Sequence, residues 1–185
     1  MDGTLTHAIH DFDAIRETLG LPTGKPILET LAALPPNDAA NIKAQLDELE
    51  YQIADRATAQ PGATELLQCL TDSGATIGIL TRNGKGIAHR TLDACELRHF
   101  FEDDNVVSRD CCTPKPDGAG VNLLLQRWKA SRESAVIVGD YLFDLEAGRN
   151  AGVTTVHLDV TAEFPWPDKS DVCVKTLSEL LSKFS

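Results

Sequence analysis

Several polar side chains in this sequence follow short apolar runs, at the points where buried strands would end. Thr81 closes one such run, Asp140 and Asp144 follow another, and Lys115 lies in the segment between them. The carboxyl ends of parallel strands meet at one edge of a sheet, where open α/β sheets bind their ligands. Carboxylates bind Mg²⁺, and a threonine at a helix start can help to hold an anion. These residue types therefore favour phosphoryl-transfer chemistry at a sheet edge.

The elements that must position these residues alternate from about residue 60 onward. Strands are predicted over residues 77–80, 106–107, 135–138 and 154–158. Helices are predicted over residues 63–73, 84–95, 117–130, 144–150 and 177–184. This alternation is typical of a parallel sheet covered by helices, and so of the α/β class.

The segment of residues 11–57 differs, because it has helical patterns and no strand signal. Apolar residues recur there at i, i+4, i+7 and i+11, at Ile42, Leu46, Leu49 and Ile53. That spacing predicts an amphipathic helix. We predict a helical insertion over 11–57 and an α/β core formed by residues 1–10 and 58–185.

The first six residues form a turn-like sequence, Met1-Asp2-Gly3-Thr4-Leu5-Thr6. A polar turn at the edge of a buried sheet needs a hydrophobic strand leading into it. No such strand stands before Met1 in this sequence. We therefore expect the first strand to be missing at this end.

Four segments, in this order, resemble the four motifs of the haloacid dehalogenase superfamily. The first motif of that family reads D-x-D-G-T-[LV]-[TV], and the sequence matches it from the x onward. The other three matches are Thr81, Lys115-Pro116 and Gly139-Asp140-Tyr141-Leu142-Phe143-Asp144. The resemblance implies a Rossmann-like parallel sheet core with a small helical cap at 11–57. It also implies that the attacking aspartate belongs directly before Met1, where this sequence has no residue.

The resemblance further implies a role for each matched residue. Asp2 is expected to act as general acid and base, with its backbone carbonyl facing a Mg²⁺ ion. Asp140 is expected to bind Mg²⁺ directly, and Asp144 to support it through a water or by orienting Lys115. The expected phosphate-binding residues are Gly3, Thr81, Arg82, Asn83 and Lys115. Asp2, Thr81 and Lys115 form the expected catalytic set.

These roles point to a Mg²⁺-dependent phosphomonoester hydrolase that works through an aspartyl-phosphate on a small phosphorylated metabolite. The cap resembles that of phosphoglycolate phosphatases and their neighbours. Asp2 argues against the dehalogenase, phosphonate-cleaving and transport-ATPase branches, whereas a phosphomutase is a close relative. Two alternatives stay open at this point. One is a non-catalytic member that binds or regulates through the cleft, and the other is a receiver-like signalling domain.

Charge and cysteine content limit the partners and the compartment. The formal net charge of −11 disfavours a nucleic-acid partner, because such binding depends on basic residues. No apolar run is long enough to span a membrane, so we expect no membrane partner. The five cysteines are an odd number at irregular spacing, and we expect free thiols in a cytoplasmic protein.

Overall fold

The strands are short and pair in two separate parallel sheets. The computed structural model describes residues 1–183, in which the strands are β1 (Ile79–Leu80), β2 (Val106–Val107), β3 (Val136–Gly139), β4 (Thr154–Leu158) and β5 (Val172–Val174). One sheet pairs β1 with β2, and the other has the order β3-β4-β5. Ile79 lies opposite Val106 in the first sheet, and Val136 lies opposite Thr154 in the second. The prediction of a single sheet is therefore corrected to two, and β5 is a strand that the sequence analysis does not predict.

The described part of the chain has eight α-helices and four short 3-10 helices. The α-helices are α1 (Phe12–Thr18), α2 (Ile27–Ala32), α3 (Pro36–Ala54), α4 (Ala63–Asp72), α5 (Lys85–Ala94), α6 (Ala119–Trp128), α7 (Leu142–Ala151) and α8 (Leu177–Leu181). The helix predicted over 177–184 ends at Leu181 instead, and residues 184–185 lie outside the described residues. None of the helices within residues 1–183 is long and apolar enough to cross a membrane.

Helices α1, α2 and α3 pack around an apolar cluster of their own. Its buried members are Ile15, Leu19, Leu21, Ile27, Leu31, Leu46 and Ile53. Asp11 caps α1, since its carboxylate accepts a hydrogen bond from the backbone N–H of Ala14 at 2.9 Å. Pro36 begins α3, where a proline loses no helical hydrogen bond. The division into a core of residues 1–10 and 58–185 and a cap of residues 11–57 stays a prediction.

An apolar slot separates the two sheets. The strands β1 and β3 are not paired with each other, and both line one cavity of about 420 Å³. Met1 and Leu5 lie at this cavity, together with apolar side chains of α4 and α6. Val136 of β3 is 48% exposed, although a valine in the interior of a sheet is normally covered. The inner edges of both sheets therefore face a space that no strand within residues 1–183 fills.

Candidate active site

The turn at the start of the chain lies against the end of β3. The backbone carbonyl of Met1 accepts hydrogen bonds from the N–H groups of Thr4, Leu5 and Thr6 at 3.1, 2.8 and 3.2 Å. Gly3 has a φ of 78°, and a Cβ atom there would lie 2.1 Å from Oδ2 of Asp140. Only glycine fits this conformation and this close approach.

Asp140 follows β3 and carries a partly buried carboxylate. The Thr4 hydroxyl donates to its Oδ1 at 2.8 Å. Within residues 1–183 no salt bridge reaches Asp140. Burial and then the nearby Asp144 charge raise the pKa of Asp140 above its ordinary value. A bound cation would stabilise the ionised form of such a carboxylate.

Asp144, in the first turn of α7, instead pairs with Lys115. The Lys115 ammonium donates to Oδ1 of Asp144 at 2.5 Å, and the side chains are 8% and 9% exposed. The backbone N–H of Tyr141 donates to the other carboxylate oxygen at 3.3 Å. Burial acts to raise the pKa of Asp144, but the charge of Lys115, the amino group of Met1 and the hydrogen bonds from Lys115 and Tyr141 outweigh it and lower the pKa. Asp144 therefore pairs with Lys115 in this structure, and its support of a Mg²⁺ ion stays a prediction.

Thr81 and Asn83 line the end of β1 and connect to Asp2. The N–H of Thr81 donates to the carbonyl of Val107 at 3.0 Å, which fixes the loop to β2. The Thr81 hydroxyl accepts from the N–H of Asn83 at 3.1 Å, and the Asn83 amide donates to Oδ2 of Asp2 at 3.0 Å. Thr81 does not cap α5, because Gly84 holds the N-cap position. The side chain of Asn83 therefore orients the carboxylate of Asp2.

Arg82 lies next to this cluster, and its side chain makes contacts that the sequence does not indicate. Its guanidinium binds both oxygens of Glu29 on α2, at 2.9 and 2.7 Å. It also donates to the carbonyl of Lys115 and lies 4.8 Å over the ring of Phe143. Arg82 thus links the loop after β1 to the helical segment above it.

A second arginine, Arg109, joins the core to α3 close to Asp2. Its guanidinium binds Asp47 at 2.6 Å and Glu50 at 2.9 and 3.2 Å, and it donates to the carbonyl of Arg82 at 3.2 Å. Burial, outweighing the pairing with Arg109, raises the pKa of Glu50, and the charges of Asp47 and Asp2 add to this. The sequence does not reveal this cluster, because Glu50 and Arg109 are 59 positions apart and resemble ordinary surface charges.

The predicted site residues therefore meet at one edge of the two sheets, at the carboxyl ends of β1 and β3. Among residues 1–183 there is no group of three or more His, Cys, Asp or Glu side chains that could hold a metal ion. Magnesium does not require one, since it is often bound by one or two carboxylates together with water and phosphate oxygens. The half-buried, unpaired carboxylate of Asp140 fits such a site.

Comparison with known proteins places this chain in a family. The family model described as "Haloacid dehalogenase-like hydrolase" matches residues 7–158. The chain is 32% identical over 152 residues to a phosphoglycolate phosphatase of Caulobacter vibrioides, and the match covers 78% of this chain and 63% of that protein. It is 27% identical over 154 residues to the pyrophosphatase PpaX of Listeria monocytogenes, covering 82% of this chain and 70% of that protein.

Solved structures show the same fold at lower sequence identity. A hydrolase from Pseudomonas syringae superposes with a TM-score of 0.81 at 20% identity, covering 99% of this chain and 94% of that one. CbbY from Rhodobacter sphaeroides, in complex with phosphate, superposes with a TM-score of 0.75 at 19% identity, covering 97% and 93%. The parallel α/β architecture is thus shared over nearly the full length.

Proposed function

Because this chain belongs to the haloacid dehalogenase-like hydrolase family, we propose that it acts as a Mg²⁺-dependent phosphomonoester hydrolase on a small phosphorylated metabolite. The main support is the buried Lys115–Asp144 pair, which lies beside the unpaired carboxylate of Asp140. Phosphoryl transfer depends mostly on positioning and on neutralising negative charge. This edge of the sheets holds an oriented ammonium, a carboxylate suited to a cation and an oriented acid at Asp2.

Each side chain has a distinct task in this proposal. Asp2, oriented by Asn83, protonates the leaving oxygen and later deprotonates the attacking water, a role that contributes roughly 10²–10⁴-fold to a rate. Thr81 and Lys115 hold the phosphoryl oxygens, and Asp144 keeps the Lys115 ammonium in place. Asp140 and the backbone carbonyl of Asp2 would bind Mg²⁺, with Asp144 in support. The ion would offset charge on the phosphoryl oxygens.

The apolar slot between β1 and β3 supports a further strand as part of the active protein. Its walls are the unpaired inner edges of two parallel sheets, and Met1 lies at the slot beside the turn that holds Asp2. Unpaired strand edges in a buried position leave backbone groups without partners. We propose that a strand leading into Met1 fills the slot and places the attacking aspartate, directly before Met1, at the same edge as Asp140.

The relatives narrow the substrate class. One is named for phosphoglycolate and the other for pyrophosphate. Each of these small molecules carries a second acidic group beside the phosphoryl group. We propose a substrate of this kind, enclosed by the helical segment above the site, which would exclude water from the reaction. The family match disfavours the receiver-like alternative.

Adding the proposed strand before Met1 tests the proposal. One protein carries an added N-terminal segment of about five apolar residues and an aspartate directly before Met1. A matched control carries asparagine in place of that aspartate. We expect Mg²⁺-dependent release of phosphate from small phosphomonoesters with the first protein only.

Substitutions in the restored protein test the individual roles. Asp140→Asn should abolish turnover, Asp2→Asn should slow it by at least about 100-fold, and Asp168→Asn, at an exposed position, should leave it unchanged. Full activity in Asp140→Asn would refute the metal assignment. No turnover of any phosphomonoester by the restored protein would favour the alternative of a non-catalytic protein that binds through the cleft.

A further inference from the structure

The side chain of Arg82 is held firmly by the core on one side and only by a cap carboxylate on the other. The core contacts are the carbonyl of Lys115 and the ring of Phe143, both in segments that carry site residues. The outward-facing nitrogen, Nη2, binds both oxygens of Glu29. The guanidinium is therefore fixed between the Lys115 segment and α2, and its Nη2 atom is directed toward Glu29.

In the ion pair between Arg82 and Glu29, Glu29 is the residue that another anion could replace more easily. Its side chain is 50% exposed, whereas that of Arg82 is 20% exposed. Arg109 differs, because the side chains of Arg109 and Glu50 are 6% and 9% exposed and Asp47 adds a third contact. An exposed ion pair contributes little to stability and exchanges readily with other ions. Of these two arginines that join the core to the cap, Arg82 is thus the one able to change its anion.

We propose that Arg82 binds the second acidic group of a small substrate, a carboxylate or a phosphate, and that Glu29 occupies this position in the free protein. This inference rests on the proposed function, since it describes the end of the substrate that is not transferred. The planar fork of arginine matches a carboxylate or phosphate through two parallel hydrogen bonds. The Arg82 guanidinium contacts the backbone of Lys115, whose ammonium would hold the phosphoryl group, so the two acidic groups of the substrate would be separated by few atoms.

The competing explanation is that Arg82 and Glu29 only hold the cap against the core. The two explanations differ for Glu29→Gln. Removing a competitor strengthens the binding of a diacidic ligand, whereas removing a purely structural contact does not. Arg90→Gln provides a matched control, because Arg90 also joins the core to the cap, through Asp55, but has no contact with the site residues.

Titration calorimetry in the presence of Mg²⁺ tests the proposal with two probes. The first probe, 2-phosphoglycolate, has a carboxylate beside its phosphoryl group, and the second, methyl phosphate, does not. We expect the wild-type chain to bind 2-phosphoglycolate on the order of tenfold more tightly than methyl phosphate. Arg82→Gln should bring this ratio close to one, and Arg82→Lys, which keeps the charge and loses the fork, should lower it. Glu29→Gln should raise the ratio, and Arg90→Gln should leave it as in the wild type.

Each result separates this inference from the proposed function. Methyl phosphate binding with no preference for 2-phosphoglycolate in the wild type overturns the inference and leaves the phosphatase proposal standing. The same holds if the preference persists in Arg82→Gln, or if Glu29→Gln weakens 2-phosphoglycolate binding. Failure of both probes to bind the wild-type chain and also the inactive protein that carries the added strand and asparagine before Met1 contradicts the proposed function and removes the second subsite with it.

Discussion

Two ion-pair clusters flank the site, and they differ in which parts of the molecule they connect. The core pair, Lys115 with Asp144, joins the loop before α6 to the first turn of α7, and both of its side chains are buried. The cap junction, Arg109 with Asp47 and Glu50, joins the core to α3. The pKa of Asp144 is lowered, whereas that of Glu50 is raised. The core pair therefore favours the ionised form of Asp144. In the cap junction, burial favours the neutral form of Glu50.

The two clusters therefore have different tasks in the proposed site. Lys115 and Asp144, which the proposed chemistry needs, both lie in the α/β core and cannot separate without disrupting its packing. Arg109 pairs with carboxylates of α3, and breaking this pair would let the more exposed Asp47 regain water. The free energy of unfolding should therefore respond differently in the two clusters when the lysine or arginine is removed and when the pH changes.

The largest effect is expected for the core pair. Lys115→Met leaves the buried carboxylate of Asp144 without its partner, and we expect a loss of about 3–5 kcal/mol in the free energy of unfolding. Urea denaturation followed by circular dichroism measures this. Lys169→Met, which removes a more exposed pair with Glu146, serves as the control. Equal losses in the two variants would show that burial does not distinguish the core pair.

An intermediate effect is expected for the cap junction. In Arg109→Met, Glu50 can take up a proton and the more exposed Asp47 can regain water, so we expect a loss of about 1–3 kcal/mol by the same measurement. Arg90→Gln, which breaks an exposed contact between core and cap, should barely change stability. A loss for Arg109→Met larger than that for Lys115→Met would reverse the proposed order.

The smallest effect is expected in the pH dependence of Glu50. Because its pKa in the folded protein lies above the ordinary value of 4.5, its contribution to stability is present below that pH and is lost as pH rises through the raised pKa. The wild type should therefore lose stability relative to Glu50→Gln between about pH 4.5 and neutrality. Urea midpoints measured across this range test the sign. Parallel profiles, or a relative gain for the wild type, would contradict it.

The contribution of Asp144 to stability should have the opposite pH dependence. Its pKa is lowered from the ordinary value of 3.8, so its contribution is present at neutral pH and is lost as pH falls through the lowered pKa. The two carboxylates thus differ because one has a lysine within the same buried unit and the other shares an arginine with Asp47.

The sequence predicts much of the fold, and its errors have physical causes. The predicted strands 106–107 and 154–158 agree with β2 and β4 residue for residue. Strand β5, in contrast, has three residues between Asp171 and Lys175, and its apolar pattern is too short to stand out. It forms a strand because it pairs with β4, which is a tertiary contact. Helix α7 begins at Leu142 rather than at residue 144, because Asp144 and Tyr141 form its N-terminal capping box.

Local sequence patterns indicate which residues could do chemistry and their order along the chain, because each follows an apolar run or a turn. The ion pairs that these residues form depend on the tertiary structure. Lys115 binds Asp144 and not Asp140, Arg82 extends to Glu29, and Arg109 joins Glu50 near Asp2. These contacts link residues 29, 53 and 59 positions apart. They depend on how the helices and strands dock, and no local pattern contains that information.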